Sequence, residues 1–342
     1  MPSKARKTAA QASYQQGERK NFIYNGDMEV CQRATSVSSL GNGSTGYHVQ
    51  DRWKFAEAGA PNAVVTMSKS TTAPDGFASS LKLDCTTASG TVAAADLVYF
   101  SQLFEGQDLQ SINKGDAQAR AVTVSFWVNT TKTGTYIVSM YDNDNNRSCS
   151  QSYTVSSSNT WEYKTVTFPP DTTGAYDNDN AVSLYVHWGL VAGTDWTSGT
   201  LATAWQSNVS ANQFVGQVDA FDSTDNNFHL TGVQMELGNT ATEFQYETYA
   251  ENLARCQRYF YKNQQNTWDI TRVGLYGYLQ ICFPVQMRAA PTLSAGWPTQ
   301  SGITGATLGA NITQDIANTY AYKASTGFYF YVPNGGTASA EL

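Results

Sequence analysis

Few residues of this 342-residue chain are suited to acid–base or nucleophilic chemistry. The three histidines are His48, His187 and His229, and the last two fall inside predicted strands, where a structural role is more common than catalysis. The sequence contains no GxSxG elbow, HExxH zinc motif, phosphate-binding loop or dinucleotide fingerprint. We therefore predict a protein without enzymatic activity.

A pair of carboxylates is the remaining route to catalysis, since the two acids of a glycoside hydrolase can lie far apart along the chain. Glu29, Glu105 and Glu236 are the candidates. Hydrogen bonding in turns and at strand edges explains these residues more simply, and we favour that interpretation. A depolymerase that cleaves a glycan is the enzymatic alternative.

Two acidic segments, 142–146 (DNDNN) and 177–180 (DNDN), could suggest a calcium site. Neither has the central Gly or the distal Glu of an EF-hand loop. Asp and Asn side chains hydrogen-bond to their own backbone, so both segments predict turns. Five widely spaced cysteines without a CxxC pair predict buried thiols in a reducing cytoplasm, not a zinc site or a disulfide framework.

Two tryptophans, Trp196 and Trp205, lie in the long segment 191–226, which is rich in Gly, Ser, Thr and Asn. Loops of this length in a compact domain usually have a function or pack on a partner. Aromatic faces suit the apolar sides of sugar rings, so we predict a glycan-binding site at these residues. A trimer contact, or packing against their own domain, would also account for both tryptophans.

The composition indicates an all-β protein with large contact surfaces, because 14% of residues are charged and 13% are aromatic. Residues 121–129 alternate most clearly between apolar and polar side chains, which predicts a strand with one face in a core. About eleven such strands, one pair of them within 21–33, predict a sandwich. Residues 35–45, rich in Ser and Gly, predict a loop. No apolar run is long enough to span a membrane, and no motif for specific nucleic-acid binding is found.

Between residues 245 and 264 the apolar period lengthens to three and four residues, which predicts a connecting helix. Thr248 is the predicted N-cap, and Glu251 three residues later completes a capping box. We expect the apolar stripe to pack beside symmetry mates in a homo-oligomer. This stripe consists of Tyr246, Tyr249, Leu253, Cys256 and Phe260.

These observations divide the chain into four parts. Residues 1–20 are a basic arm, 21–244 a β-sandwich, 245–264 the helix and 265–342 a small C-terminal β domain. The arm holds five basic residues and one acidic residue in a protein of net charge −7, so we expect it to anchor the chain to an acidic partner. A solvated tail is the alternative. The anchoring residues are Lys4, Arg6, Lys7, Arg19 and Lys20.

Several motifs resemble those of tail fibre and appendage proteins of tailed bacteriophages, over nearly all of the chain after residue 20. The matching pieces are NFIYNGDME at 21–29 with CQR at 31–33, DRW at 51–53, LTGVQMELG at 230–238, ATEF at 241–244, residues 251–259, MRAAP at 287–291 and AEL at 340–342. The opening NGDME also resembles the first strand of jelly-roll carbohydrate-binding modules.

The resemblance implies that 21–244 is a jelly-roll sandwich in a non-enzymatic virion component, commonly a homotrimer. Such a protein is made in the host bacterial cytoplasm, attaches to other virion proteins by its N-terminus and binds host-surface glycans during adsorption. A capsid decoration or head-fibre protein, with mainly an assembly role, is the alternative.

The resemblance to carbohydrate-binding modules also bears on metal binding. In those modules, acidic residues in the first and last strands often hold a structural calcium ion. Here Glu29 and Glu236 are the candidates, but Gln234 and Glu236 stand where an Asp pair is usual. We therefore expect no cofactor, with structural calcium as the open alternative.

Overall fold

The structure is a computed structural model, and it describes residues 21–263, 267–269, 276–294, 299–301, 311–322, 329–332 and 336–342. Most of these residues form a sandwich of two antiparallel sheets, which confirms the predicted all-β fold. The predicted anchoring arm, residues 1–20, lies outside the described residues. Within the described ranges, the helices are too short or too polar to cross a membrane.

The two sheets of the sandwich exchange strands along the chain. Sheet A has the spatial order β1 (Ser36–Leu40), β4 (Val64–Ser70), β5 (Ser80–Thr87), β13 (Asn227–Leu237), β7 (Val122–Thr130) and β10 (Glu162–Phe168). Sheet B has the order β12 (Gln206–Ser207), β9 (Arg147–Val155), β8 (Gly134–Asp142), β11 (Val182–Ala192), β6 (Leu97–Glu105), β3 (Lys54–Ala58) and β2 (Gly46–Tyr47). Successive strands repeatedly cross between the sheets, as in a jelly roll.

Aromatic rings from sheet B fill the centre of the core. The rings of Phe100 and Trp188, on neighbouring strands β6 and β11, stack with centroids 5.5 Å apart. The Trp53 ring meets Trp188 edge-on at 5.3 Å. All three side chains are at most 1% exposed, so their burial fixes which face of each strand points inward.

Two segments before β3 differ from the sequence prediction. β1 forms within 35–45, which was predicted as a loop, because its backbone pairs with β4 while most of its side chains stay exposed. Residues 21–33, predicted as two short strands, contain no strand. There Asn25 and Met28 have φ angles of 53° and 61°, which interrupt an extended ladder. The segment still contributes the buried side chains of Ile23 and Met28 to the core.

The connecting helix, α2 (Tyr249–Gln257), is shorter than the predicted segment 245–264. Its capping box is confirmed: the Glu251 N–H donates to Thr248 Oγ1 at 3.3 Å, and the Thr248 N–H donates to the Glu251 carboxylate at 3.0 Å. The helix ends early because Phe260–Lys262 pairs as strand β14 with β22 (Thr337–Ser339).

Helix α2 packs on its own sandwich through polar contacts. Asn252 Nδ2 donates to the Asp27 carboxylate at 2.8 Å, and a guanidinium N–H of Arg255 donates to the Ile23 carbonyl at 2.8 Å. Tyr246 and Tyr249 of the predicted stripe are 60% and 58% exposed. The stripe is therefore divided between the protein's own domain and solvent, and the predicted contact with symmetry mates stays a prediction.

The described residues of the C-terminal region form three small antiparallel sheets, and four short helical turns occur in the sandwich loops. The sheets are β14–β22–β17 (Thr292–Leu293), then β15 (Thr267–Asp269)–β21 (Tyr329–Val332)–β18 (Thr299–Ser301), and β16 (Tyr276–Cys282)–β20 (Ile316–Tyr322)–β19 (Asn311–Ile312). The turns are 3₁₀ segments at Gly106–Asp108, Gln110–Ile112 and Ser210–Asn212, with the one-turn helix α1 at Thr194–Thr197.

The end of the described chain is tied to the sandwich by buried charges. The Glu341 carboxylate contacts Arg33 at 2.9 Å and Arg52 at 2.5 Å. Arg52 is completely buried, and its guanidinium also donates to the Leu103 carbonyl at 2.6 Å and lies 3.5 Å from the centroid of the Tyr259 ring. These contacts join the last residues, the segment after α2 and sheet B into one packed region.

A second buried charge cluster closes one end of the sandwich. The Lys114 ammonium lies 2.5 Å from Asp142 and 3.1 Å from Asp171, and it donates to the Thr173 and Gly174 carbonyls at 3.0 and 2.8 Å. The side chains of Lys114, Asp142 and Asp171 are 2%, 0% and 4% exposed. Arg147 also contacts Asp171 at 2.7 Å, so two cations compensate the two buried carboxylates.

Replacing Lys114 with Met should lower the free energy of unfolding by about 3–5 kcal/mol, because it leaves the buried carboxylates short of a cation. Urea unfolding measures this change. Lys132→Met is the matched control, because Lys132 and Asp222 form an exposed pair that contributes about 0–1 kcal/mol. Equal losses in the two variants would contradict the assignment.

Candidate functional site

The outer face of sheet B carries a cleft of about 220 Å³. Its walls combine aromatic rings with amide and hydroxyl groups. The lining residues are Ala58, Leu97, Tyr99, Tyr141, His187, Trp196, Asn208, Ser210, Gln213 and Phe214. The volume is below the ~300–1,000 Å³ of drug-sized pockets, which suits one ring of a longer ligand.

A row of polar residues crosses the floor of this face. Lys54 of β3 lies opposite Ser101, Ser101 opposite His187, His187 opposite Ser139, and Ser139 opposite Ser150 of β9. Opposed residues of antiparallel strands project to the same side. The five residues therefore form one rung across five strands, which we call the polar rung.

Tyrosines flank the polar rung on both sides. Tyr99 lies one rung away, opposite Gly189, and its ring meets the His187 ring edge-on at 4.6 Å. Tyr185 and Tyr141 lie opposite each other on the other side, with ring centroids 5.8 Å apart. The serine side chains of the rung are at most 1% exposed, and Ser150 Oγ donates to Ser139 Oγ at 2.9 Å. The face thus presents several aromatic rings around the His187 imidazole.

A loop after β11 forms one wall of the cleft. The indole N–H of Trp196, in α1, donates to the Ala95 carbonyl at 3.1 Å, and the Phe214 N–H donates to the Trp196 carbonyl at 3.0 Å. Gly189 makes room for this wall, since a Cβ there would lie 2.7 Å from the Phe214 ring. The wall is therefore held by backbone hydrogen bonds and by a close approach that needs glycine.

The floor of the cleft is uncharged at His187. This side chain is 8% exposed, and its Nδ1 has no hydrogen-bond partner among the described residues. Burial, with a smaller contribution from the Lys54 ammonium, lowers the pKa of His187 to about 3. Burial also raises the pKa of Tyr99. Both groups are consequently neutral near pH 7 and can exchange hydrogen bonds with ligand hydroxyls.

The two predicted tryptophans are not brought together. Trp196 lines the cleft, whereas Trp205 packs against the main core and lines a different cavity with Phe168 and Leu184. The Trp205 indole donates to the Pro169 carbonyl at 2.9 Å. The geometry thus gives Trp205 a packing role in this region, next to the Lys114 cluster.

The three candidate glutamates lie in separate hydrogen-bond networks. Glu29 pairs with Lys69 at 2.9 Å, and Glu236 accepts the Thr242 N–H at 2.8 Å. Glu105 is buried and pairs with Arg258 at 2.7 Å. In the part of the chain that the structure describes, no group of three His, Cys, Asp or Glu side chains is placed to hold a metal ion.

Sequence reasoning missed most of the cleft. Tyr99, Tyr141, Tyr185 and His187 all fall in predicted strands, and alternation with buried neighbours such as Trp188 could have assigned them to the outer face. Their proximity depends on strand order and register in sheet B, which a single sequence does not reveal.

Acid should destabilise the protein through its buried histidines. Burial lowers the pKa of His187 to about 3 and that of His229 to about 4. Below pH 6.5 the unfolded chain takes up protons that the folded chain does not, so the free energy of unfolding falls as pH falls. Urea unfolding at about pH 7.5 and about pH 5 gives the loss of unfolding free energy between the two pH values. This loss should be about 2 kcal/mol smaller for His187→Gln than for the wild type. Equal decreases would contradict a neutral His187.

No protein-family model matches the chain, and no curated protein matches it. Among solved structures, the enzymatically active domain of bacteriophage CBA120 tailspike protein 4 is 15% identical with a TM-score of 0.31, covering 64% of this chain and 21% of that one. This chain therefore spans about a fifth of the tailspike chain that it matches.

Carbohydrate-binding modules also match. TmCBM61, solved in complex with β-1,4-galactotriose, is 10% identical with a TM-score of 0.30, covering 64% of this chain and 99% of that one. The C-terminal family 22 module of Clostridium thermocellum Xyn10B is 10% identical with a TM-score of 0.31, covering 65% and 98%. At these scores the similarities assign no residue role to this chain.

Proposed function

We propose that this protein binds glycans in the cleft on sheet B and does so as a surface appendage of a bacteriophage virion. The observation that carries the binding proposal is the lining of the cleft, in which Tyr99, Tyr141 and Trp196 surround polar side chains; these are His187, Asn208, Ser210 and Gln213. Aromatic faces pack on the apolar sides of sugar rings, and the polar groups between them bind hydroxyls.

The lining of the cleft favours binding over hydrolysis. Its polar groups are amides, hydroxyls and an imidazole, and no lining residue carries a carboxylate. The Gln213 amide donates to Asn208 Oδ1 at 2.5 Å, so these two amides are held in place. Glycoside hydrolysis usually needs two carboxylates flanking the bond. The supported activity is therefore recognition without cleavage.

The virion role rests on the resemblance to phage tail fibre and appendage proteins. In this role, residues 1–20 anchor the chain to the particle, and a homotrimer presents the clefts to glycans of the host surface. Many copies on one particle would reinforce a weak single site, because each further contact is intramolecular once the first has formed.

The binding proposal predicts a specific loss on substitution of the cleft aromatics. Affinity electrophoresis of the purified protein in gels containing alginate, polygalacturonate, galactan or xylan should show retardation by at least one polysaccharide. Tyr99→Ala and Trp196→Ala should each weaken that interaction about tenfold, equivalent to about 1.4 kcal/mol. Each variant removes one aromatic surface for a sugar ring.

Tyr163→Ala is the control, because Tyr163 is 44% exposed on the opposite sheet. It should bind as the wild type does, and thermal unfolding should show that all variants are folded. Wild-type affinity in both cleft variants would refute the site. Release of new reducing ends from the bound polysaccharide would instead favour a depolymerase.

The arm proposal makes a separate prediction for assembly. Deleting residues 1–20 should reduce incorporation into particles at least tenfold, since the five basic residues supply the charge that meets an acidic partner. Quantitative mass spectrometry of purified particles measures the copy number. If the shortened chain joins particles at the normal copy number and still binds glycan in the cleft, the anchoring role of the arm is wrong. The glycan proposal is then unaffected.

A further inference from the structure

Lys54 stands at one end of the polar rung, beside the cleft. It lies opposite Ser101 on β6, so it projects from the same face as His187. Tyr99 is its diagonal neighbour on β6, a spacing of roughly 7–8 Å in an antiparallel sheet. A ligand that packs on the Tyr99 ring can therefore reach the Lys54 ammonium.

The Lys54 ammonium has neither an ion pair nor a hydrogen bond within the described ranges. It lies over the Tyr47 ring, 5.8 Å from the ring centroid. Every other lysine of these ranges has an oxygen partner, in an ion pair or at a backbone carbonyl: Lys69, Lys82, Lys114, Lys132, Lys164 and Lys262. Lys54 is thus the exception among the described lysines.

The carboxylate that acts electrostatically on Lys54 belongs to Glu341, and arginine side chains already pair with it. Glu341 contacts both Arg33 and Arg52, and Arg33 also contacts Asp51 at 3.4 Å. These two cations and two carboxylates balance one another, so they do not offset the charge of Lys54 in a protein of net charge −7. Lys54 is half-buried, and burial lowers its pKa. Its ammonium also acts on the cleft, since it helps to lower the pKa of His187. A partly desolvated charge interacts more strongly with an anion than an exposed one does.

We propose that the cleft binds a glycan that carries carboxylates, with a sugar ring against Tyr99 and His187 and its carboxylate at Lys54. This inference rests on the proposed glycan-binding function and names its ligand class as an acidic polysaccharide. The carboxylate supplies the oxygen partner that Lys54 lacks, in a charge-assisted hydrogen bond. The aromatic rings and amides hold the sugar itself.

Polysaccharides that differ only in their carboxylates test whether the protein recognises the negative charge of the ligand. Binding of the full-length protein to polygalacturonate and alginate is compared with binding to the same polymers after carboxyl reduction, by isothermal titration calorimetry. We expect the protein to bind at least one acidic polymer about tenfold more tightly than its reduced form. This preference should shrink as sodium chloride is raised, because salt screens a solvent-accessible charge pair.

Lys54→Met should abolish the tenfold preference for the acidic polymer, because it removes the ammonium that meets the carboxylate and retains most of the aliphatic stem. Lys82→Met is the matched control: it makes the same change in net charge on sheet A, where Lys82 pairs with Asp84 at 2.9 Å. That variant should keep the preference. Thermal unfolding establishes that both variants are folded.

The outcomes separate this inference from the proposed function. Equal affinity for acidic and reduced polymers, lost in Tyr99→Ala, would overturn the acidic ligand class and leave glycan binding in place. Wild-type preference in Lys54→Met would overturn the role of Lys54. No binding of any polymer by the folded protein would overturn both proposals.

Discussion

The stack of Trp53, Phe100 and Trp188 is the packing interaction on which the rest of sheet B depends. Phe100 and Trp188 are opposite residues of β6 and β11, and both are completely buried. Because side chains alternate along a strand, burying Trp188 forces His187 to the outer face. A slip of one residue would exchange the two faces. This stack therefore sets the position of the cleft, although none of its three residues lines it.

Packing outside the sandwich leaves this outer face partly covered at both ends. The loop with Trp196 and Phe214 covers one end of the strands. At the other end, Glu105 of β6 is buried under Tyr259 and pairs with Arg258, both in the segment after α2. The cleft lies between these covers. The helix and the charge contacts of Glu341 with Arg33 and Arg52 thus contribute to the shape of the binding face as well as to stability.

Local patterns predicted most of the sandwich and little of the site. Alternating apolar residues identified β7, and the Thr248 capping box identified the start of α2, because both signals depend on neighbouring residues. β1 was missed because its side chains are mostly exposed and its ladder depends on a distant partner. The cleft was missed for the same kind of reason, since Tyr99, His187 and Tyr141 meet only through strand order. Trp196 was predicted from its position in the long segment 191–226. Because Trp205 lies in the same segment, this signal could not distinguish the two tryptophans.

The most direct test of this account is a crystal structure of the protein with oligosaccharide fragments of the polysaccharide that retards it most. We predict electron density for a sugar ring in the cleft, in contact with the Tyr99 ring and the Trp196 indole and with a carboxylate at Lys54. Density on sheet A or in the C-terminal region, with an empty cleft, would contradict the central claim that the register of sheet B builds the binding site.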